Sequence, residues 1–156
     1  MTTLRSVIHT TFVIDRTYAV PPARVFAAFA DPELKERWFA MPPDWVDTHH
    51  ALDFRVGGHE TNFGGPPGGT VHRFEARYQD IVEDERIVYA YDLYLDDERV
   101  SVSLATIELR PDANGTRMIF TEQGAFLDGY DNPAEREHGT GELLDALGRA
   151  LRRGAG

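Results

Sequence analysis

The stretch Phe12–Phe39, FVIDRTYAVPPARVFAAFADPELKERWF, decides the fold. It begins as a strand-like run, and Pro21-Pro22 ends that strand because proline lacks the N–H that a central strand donates. Asp31-Pro32 then breaks one helix and starts another, with Asp31 as the N-cap of the second. The apolar residues between these breaks recur at helical spacing and share one face: Val25, Phe26 and Phe29. The stretch therefore predicts an edge strand that leads into two short helices.

The rest of the chain predicts six more strands and one long helix. Glycine-rich or acidic turns separate the strands, which is typical of an antiparallel sheet. The predicted strands span residues 46–56, 59–63, 70–82, 86–95, 99–110 and 116–123. Asn132 as N-cap, Pro133 at the first position and Glu135 in a capping box predict where the helix begins. Its apolar stripe consists of Leu143, Leu144, Leu147 and Leu151. We expect an α+β fold in which this helix covers one face of the sheet.

The composition favours a single globular domain over residues 1–156 and argues against several partners. A net charge of −10 makes nucleic acid an unfavourable partner, because an acidic surface repels phosphates. The sequence contains no cysteine, which removes disulfides, thiolate catalysis and cysteine-based zinc sites. No apolar run approaches the roughly 20 residues of a membrane span. The segment Met1–Thr11 also lacks the apolar core of a secretion signal. We therefore predict a cytoplasmic protein with no membrane partner.

Several motifs, in their order along the chain, resemble the SRPBCC superfamily, whose members have the START-like, helix-grip fold. The motifs are Val20–Phe26 with Trp38-Phe39, Asp53–Gly58, the strand-turn-strand Tyr78–Tyr89, and Gly115–Arg117 with Thr121-Glu122. Within the superfamily, the chain is similar to the C-terminal domain of the heat-shock-protein-90 ATPase activator. The resemblance covers about residues 12–151. It implies a seven-stranded curved antiparallel sheet around a long C-terminal helix, with the two short helices between strands 1 and 2.

The resemblance also implies a cavity between the sheet and the last helix. Superfamily members use it for lipids, sterols, plant hormones, polyketide intermediates or aromatic substrates. The branch commonly has a tryptophan near the start of the last helix, after a histidine, but here His138 precedes Gly139-Thr140-Gly141-Glu142. Two glycines inside a helix cost roughly 1 kcal/mol each relative to alanine. They either let the helix lie close to the sheet or open room for a ligand.

Strand alternation predicts an apolar and aromatic cavity with few polar residues. The expected lining consists of Trp38, His50, Phe54, Phe74, Tyr78, Tyr89, Tyr91, Met118, Phe120, Glu122 and Leu144. The tyrosines fit an ordinary core as well as a ligand site. Trp38 and Trp45 flank Met41-Pro42-Pro43, which indicates either a lid over the cavity or a packed loop. The run Gly64–Gly69 lacks the lysine and the helix of a phosphate-binding loop, so we interpret it as a hairpin tip.

Glu122 and His72 are the candidate catalytic residues. A buried carboxylate has a raised pKa unless a partner holds it charged, which is common in functional sites. Glu122 also fits an exposed strand end or an ion pair with arginine, and His50 and His72 also fit hydrogen-bonded structural roles. His49 and His50 point to opposite faces of a strand, so a metal shared with His59 is not expected. We predict neither a metal nor another cofactor.

The sequence leaves three hypotheses for function. The first is a module that binds a small hydrophobic or aromatic ligand in the cavity, without catalysis. The second is an enzyme of the polyketide cyclase or dehydratase kind, in which Glu122 and a histidine such as His72 act as acid and base. The third, implied by the resemblance, is an accessory protein of the heat-shock-protein-90 chaperone. A homodimer is compatible with each of them.

Overall fold

The computed structural model describes residues 4–154 of the chain. The strands are β1 (Val7–Tyr18), β2 (Val46–Leu52), β3 (His59–Gly65), β4 (His72–Val82), β5 (Arg86–Leu95), β6 (Glu98–Asp112) and β7 (Gly115–Leu127). The helices are α1 (Pro22–Ala30), α2 (Pro32–Lys35) and α3 (Pro133–Arg153). The α+β class and the predicted element order are confirmed. None of the helices in residues 4–154 is long and apolar enough to cross a membrane.

The strands of the described chain form one antiparallel sheet in the order β1-β7-β6-β5-β4-β3-β2. From β2 to β7, each strand pairs with the next in sequence, as expected for a series of hairpins. β1 pairs instead with β7, from Val7 opposite Leu127 to Tyr18 opposite Thr116. The first strand is therefore an edge strand, as predicted. Helices α1 and α2 connect it to β2 at the opposite edge, and α3 packs against β1 and α1.

The predicted end of the second strand is wrong. β2 ends at Leu52, and the next residues form a tight loop that brings the backbone to β4. Gly57 N donates to the Tyr78 carbonyl at 2.8 Å, and Tyr78 N donates to the Gly58 carbonyl at 3.0 Å. Gly57 has a φ of +83°, which side chains with a Cβ rarely adopt. This positive φ and the pairing with Tyr78 explain why the strand does not reach Val56.

The predicted end of the seventh strand is also wrong. β7 continues past Gln123 to Leu127, because the start of β1 at Val7 gives these residues a partner. β3 likewise extends to Gly65, so the glycine-rich loop begins two residues later than the sequence predicts. The rest of that loop is a turn, in which Gly69 N donates to the Pro66 carbonyl at 2.9 Å.

Both predicted helix caps are present, but the capping box predicted for α3 is not complete. The Asp31 carboxylate accepts from the backbone N–H groups of Glu33 and Leu34 and so starts α2. The Asn132 side chain accepts from the backbone N–H groups of Ala134 and Glu135 and starts α3. A capping box would have Glu135 bind the Asn132 N–H, but that N–H donates to the Asp131 carboxylate at 2.9 Å. Asp131 is thereby fixed at the N-terminus of α3.

The core lies between α3, α1 and the covered face of the sheet. Leu147 is fully buried, which contributes about 1.5–3 kcal/mol relative to an exposed side chain. The buried Tyr18 hydroxyl donates to the Leu144 carbonyl at 2.8 Å and ties β1 to α3. Other buried members of this core are Val25, Phe29, Ile107, Met118, Phe120 and Leu151. The core fills one end of the covered face, and a cavity occupies the other end.

Candidate functional site

A cavity of about 600 Å³ lies between the sheet, the start of α3 and the segment that follows α2. Its size fits a small organic ligand. The sheet contributes Asn62, His72, Phe74, Tyr89, Tyr91, Leu93, Leu95, Phe120 and Glu122. The helices, the α2–β2 segment and the loop before α3 contribute Phe29, Lys35, Trp38, Phe39, Ala40, Met41, Trp45, Asp131, Glu135, Arg136, Gly139, Thr140, Leu143 and Leu144. Most of these side chains are apolar or aromatic, and the polar ones belong to a few groups.

Aromatic rings form a continuous wall of the cavity. Phe74 lies at its centre, with ring centroids 4.9 Å from Tyr91, 5.2 Å from Phe39 and 6.3 Å from Tyr89. Strand alternation explains this group, because Phe74 lies on β4 while Tyr89 and Tyr91 lie two residues apart on β5. Edge-to-face and tilted pairs of this kind stabilise each other and hold the rings in place. These rings therefore form one connected apolar wall of the cavity.

Seven of the eleven expected lining residues, and the candidate catalytic residue His72, line this cavity: Trp38, Phe74, Tyr89, Tyr91, Phe120, Glu122 and Leu144 are the seven. Four of the expected lining residues lie elsewhere. Phe54 packs edge-on against Tyr78, with ring centroids 4.9 Å apart, and both belong to the core. Met118 is fully buried in the same core. His50 hydrogen-bonds two glutamates beside the cavity and does not face its interior.

Glu122 is a deeply buried carboxyl group at the wall of the cavity. It is only 1% exposed, which excludes the alternative of an exposed strand end. The Tyr91 hydroxyl donates to Glu122 Oε1 at 2.9 Å, and Arg136 Nη1 donates to the Tyr91 oxygen at 2.9 Å. Glu122 Oε2 has no hydrogen-bond partner among residues 4–154. Burial raises the pKa of Glu122, and the nearby Arg136 cation opposes this rise only in part.

Arg136 was not singled out from the sequence, yet it organises this end of the cavity. Its guanidinium donates to Ser101 Oγ at 2.7 Å and to the Asp131 carboxylate, and it lies 4.9 Å from the centre of the Phe126 ring. Burial would lower the pKa of Arg136, but Tyr91, Asp131 and the other neighbours raise it overall, so the group stays cationic. We define Glu122, Tyr91, Arg136 and Asp131 as the acid–arginine cluster.

A second polar group surrounds Lys35, which the sequence analysis did not single out. Lys35 is 3% exposed and Glu60 is 1% exposed, and Lys35 Nζ lies 2.6 Å from Glu60 Oε1. The Tyr78 hydroxyl donates to the same Glu60 oxygen at 2.7 Å, and Lys35 Nζ donates to the Tyr78 oxygen at 3.3 Å. Lys35 also lines the cavity, with Nζ 4.8 Å from the centre of the Phe39 ring. An ion pair this deeply buried is isolated from solvent screening.

His50 connects this ion pair to the protein surface. Its Nε2 lies 2.7 Å from Glu60 Oε2, and its Nδ1 lies 3.1 Å from Glu36 Oε1, whose side chain is half exposed. Two carboxylate neighbours favour the doubly protonated ring, and the pKa of His50 is accordingly raised, mainly by Glu60. We define Lys35, Glu60, Tyr78, His50 and Glu36 as the lysine network.

The two carboxyl groups of the cavity region differ in their electrostatics. Burial would raise the pKa of Glu60, but Lys35, His50 and Tyr78 together lower it, so Glu60 is a carboxylate at neutral pH. Burial lowers the pKa of Lys35, and Glu60 opposes that shift. At Glu122, by contrast, the desolvation effect dominates and the pKa rises. Both oxygens of Glu60 are therefore hydrogen-bonded, whereas one oxygen of Glu122 lacks a hydrogen bond.

The two tryptophans expected to form a lid have different roles. Trp38 is buried, and its indole N–H donates to the Ala28 carbonyl at 3.0 Å, so it is part of the packed core. Trp45 lies over His72, with ring centroids 4.7 Å apart, and both line the cavity. Trp45 and the neighbouring Met41 thus cover the cavity on the side of the α2–β2 segment. Trp38 therefore fits the interpretation as a packed loop, and Trp45 fits the interpretation as a lid.

The two helical glycines singled out from the sequence have different surroundings. A Cβ at Gly139 would have no neighbour within 4 Å, and Gly139 lines the cavity, so this position leaves open space beside the helix. A Cβ at Gly141 would lie 3.4 Å from Arg16 Nη2, at the edge of ordinary contact. Gly148, seven residues after Gly141, lies close to the sheet, because a Cβ there would lie 3.2 Å from the Tyr18 ring.

Within residues 4–154, no group of three or more His, Asp or Glu side chains is arranged to hold a metal ion. His49 packs against Phe63, with ring centroids 5.2 Å apart, while His50 turns toward Glu60.

The sheet, the gripped helix and the cavity between them define a START-like protein of the SRPBCC superfamily. The model of the family described as "Activator of Hsp90 ATPase homolog 1-like protein" matches residues 19–152, and the chain belongs to that family. No curated protein matches the chain significantly.

The chain is similar to several solved bacterial structures over nearly its whole length. An uncharacterised protein of Rhizobium leguminosarum is 44% identical, with a TM-score of 0.92, and the match covers 97% of this chain and 99% of that one. A protein of Rhizobium loti is 47% identical, with a TM-score of 0.86 and coverage of 93% and 99%. A protein of Chromobacterium violaceum is 28% identical, with a TM-score of 0.76 and coverage of 90% and 96%.

Proposed function

We propose that the protein binds a small, flat, apolar or aromatic molecule in the cavity, with the ligand's polar group at Glu122. The observation that carries this proposal is Glu122 Oε2, a buried oxygen at the wall of an aromatic cavity that has the Arg136 guanidinium 3.7 Å away but accepts no hydrogen bond. A buried polar atom without a partner costs roughly 1–3 kcal/mol, and a ligand group that reaches it offsets that cost. The rest of the acid–arginine cluster holds Glu122 in position through Tyr91.

The charge of the cluster selects the polar group of the ligand. Arg136 is already engaged by Tyr91, Ser101 and Asp131, so its positive charge is largely compensated within the protein. Glu122 and Asp131 together outnumber the single cation. An anionic ligand group would therefore meet net negative charge, whereas a hydroxyl group can donate to Glu122 or accept from it. We expect a phenol or an alcohol, not a carboxylate.

A thermal-shift and calorimetric comparison of three matched probes tests this proposal: 2-naphthol, naphthalene and 2-naphthoate. We expect 2-naphthol to bind most tightly, naphthalene less tightly and 2-naphthoate most weakly. The hydroxyl group should make the affinity for 2-naphthol about fivefold higher than that for naphthalene. In Glu122→Gln, the charge is removed while the side chain keeps its size. The difference in affinity between 2-naphthol and 2-naphthoate should then be smaller than in the wild-type protein. If none of the three probes binds or stabilises the wild-type protein, the proposal is wrong.

The cyclase hypothesis is less well supported by the geometry. Glu122 and His72 both line the cavity, but the register places Glu122 in the cross-strand row that contains Tyr78. His72 lies six residues from Tyr78 along β4, which corresponds to about 20 Å along the strand. A general acid and base that share one reacting group must each be within hydrogen-bond reach of it. We therefore do not propose Glu122 and His72 as a catalytic pair.

The family description supports a chaperone-accessory role only at the level of the family. It names activation of the Hsp90 ATPase for homologous proteins. A pull-down with that chaperone, compared between wild type and a cavity-filling variant, separates the two roles, because a surface contact does not need an open cavity. The cavity and its unpartnered carboxyl favour ligand binding.

A further inference from the structure

Lys35 is the only lysine in the 156-residue sequence, and the other 15 of its 16 Lys and Arg residues are arginines. Arginine provides the cation in surface pairs such as Arg117–Asp15 and also the other buried cation, Arg136. Arginine is usually preferred where a buried charge only has to pair with a carboxylate. A lysine can do what a guanidinium cannot: it can lose its proton and attack a carbonyl carbon.

The position of Lys35 suits such a reaction. Its side chain is only 4% exposed, yet it lines the cavity next to Phe39 and the rest of the aromatic wall. An amine in an apolar environment is more easily deprotonated than one in water, and burial does lower the pKa of Lys35. A ligand in the cavity would therefore lie against a primary amine that solvent reaches poorly.

The lysine network provides a route for the proton that the amine must lose. Glu60 accepts from Lys35 on one oxygen, and its other oxygen lies 2.7 Å from His50 Nε2. His50 Nδ1 lies 3.1 Å from Glu36, whose side chain is 52% exposed. A proton can pass from Lys35 to Glu60, from Glu60 to His50 Nε2 and from His50 Nδ1 to Glu36. It reaches solvent without crossing the apolar cavity.

We propose that Lys35 forms a Schiff base with an apolar aldehyde or ketone held in the cavity. The ammonium group first gives one proton to Glu60. The neutral amine then attacks the carbonyl carbon, and one of its two remaining protons moves to the carbonyl oxygen to give a carbinolamine. Loss of that hydroxyl group as water, together with the last proton on the nitrogen, leaves a C=N bond. This inference rests on the proposed function, because the carbonyl compound occupies the same cavity.

Benzaldehyde with sodium cyanoborohydride tests the proposal, because the hydride reduces the imine to a stable benzylamine. Intact-mass measurement and peptide mapping then locate the added benzyl group. The expected result is a single adduct on Lys35 that forms about tenfold faster than on Nα-acetyl-lysine at the same pH. The α-amino group of the chain, which lies in a different peptide, serves as the internal reference. An adduct on that group alone overturns the proposal.

Benzyl alcohol, which matches benzaldehyde in size but has no carbonyl group, separates this proposal from the proposed function. It should bind, as seen by a change in tryptophan fluorescence, and should protect Lys35 from benzaldehyde. If benzyl alcohol binds and benzaldehyde leaves Lys35 unmodified, the Schiff base is excluded while ligand binding stands. Failure of both compounds to bind overturns the Schiff base, and the naphthalene probes then decide whether the proposed ligand binding stands. Modification of Lys35 without protection by bound benzyl alcohol overturns the assignment to the cavity.

Two variants examine the network directly. Lys35→Arg keeps the positive charge but removes the primary amine, so the adduct should disappear. Glu60→Gln removes the proton acceptor, and the rate of adduct formation should fall at least tenfold. Circular dichroism checks that each variant is folded. If either one is not, the wild-type mapping and the protection by benzyl alcohol still decide the question. An unchanged rate in a folded Glu60→Gln protein contradicts the proposed proton route.

Discussion

Glu122 and Arg136 approach each other at the cavity wall without a hydrogen bond, since Arg136 Nη1 lies 3.7 Å from Glu122 Oε2. Tyr91 stands between them, donating to Glu122 and accepting from Arg136. The arginine therefore stabilises the carboxylate from a distance but leaves one oxygen free. Desolvation outweighs this attraction and raises the pKa of Glu122. An ionised Glu122 thus lowers the stability of the ligand-free protein.

Glu122→Gln should remove this cost and change the pH dependence of stability. A carboxyl whose folded-state pKa is raised binds its proton more tightly in the folded state, so stability falls as pH rises from about 4.5 through the raised pKa. The glutamine variant should lack this fall and be about 1 kcal/mol more stable at neutral pH. Urea unfolding between pH 4 and pH 8 measures both effects. Glu137→Gln, at an exposed position of α3, is the control and should behave like wild type.

Lys35→Met should be strongly destabilising, because it leaves Glu60 buried without its cation. The loss expected for breaking such a pair is about 3–5 kcal/mol. The double variant Lys35→Met/Glu60→Gln removes both charges and should recover most of that loss. Denaturant unfolding of the two single variants and the double variant gives the coupling energy. Arg117→Met/Asp15→Asn, which removes an exposed pair, should change stability little. A Lys35→Met protein as stable as wild type would show that the pair is not a folding determinant.

His50 should add stability at low pH that is lost at higher pH. Its folded-state pKa is raised, so its stabilising contribution is fully present below about 6.5 and disappears as pH rises through the raised value. An NMR titration of the His50 ring should show this raised pKa directly. His50→Gln should remove this part of the pH dependence, whereas His49→Gln, one residue away and exposed, should not. Equal pH profiles for both variants would contradict the role assigned to His50.

The sequence predicts the fold well because its signals are local. Pro21-Pro22, the Asp31 cap and the turns between strands each act within a few residues, and the structure contains each of them. The boundary errors arose where a distant partner decides the outcome. β7 is longer than predicted because β1 pairs with its end, and β2 is shorter because Gly57 pairs with Tyr78. Neither partner is close in sequence.

The polar groups of the cavity could be predicted only in part. Strand alternation places Glu122 on the covered face, but Arg136 lies in the charged run Glu135-Arg136-Glu137, where periodicity does not mark one residue as buried. Lys35 belongs to a helix of four residues, which is too short to show an apolar face. Its partner Glu60 lies 25 residues away on β3. The signal that the sequence did contain was the single lysine.

The glycines of α3 give a matched pair for a test of the open cavity. Gly139 and Gly148 are both interior to the helix, so replacing either by alanine should contribute about 1 kcal/mol of helix propensity. At Gly139 a Cβ meets no atom within 4 Å, so Gly139→Ala should be stabilising by about that amount. At Gly148 a Cβ would lie 3.2 Å from the buried Tyr18 ring, and the clash should cancel or exceed the gain.

A larger residue at Gly139 extends this comparison to ligand binding. Gly139→Leu should keep the gain in propensity while its side chain fills part of the cavity, so affinity for 2-naphthol should fall by tenfold or more. Thermal unfolding measures the first effect and isothermal titration the second. If Gly139→Leu is more stable than wild type but no longer binds 2-naphthol, the glycine serves to keep the cavity open. If Gly139→Leu binds 2-naphthol as tightly as wild type, the ligand does not occupy the space beside α3.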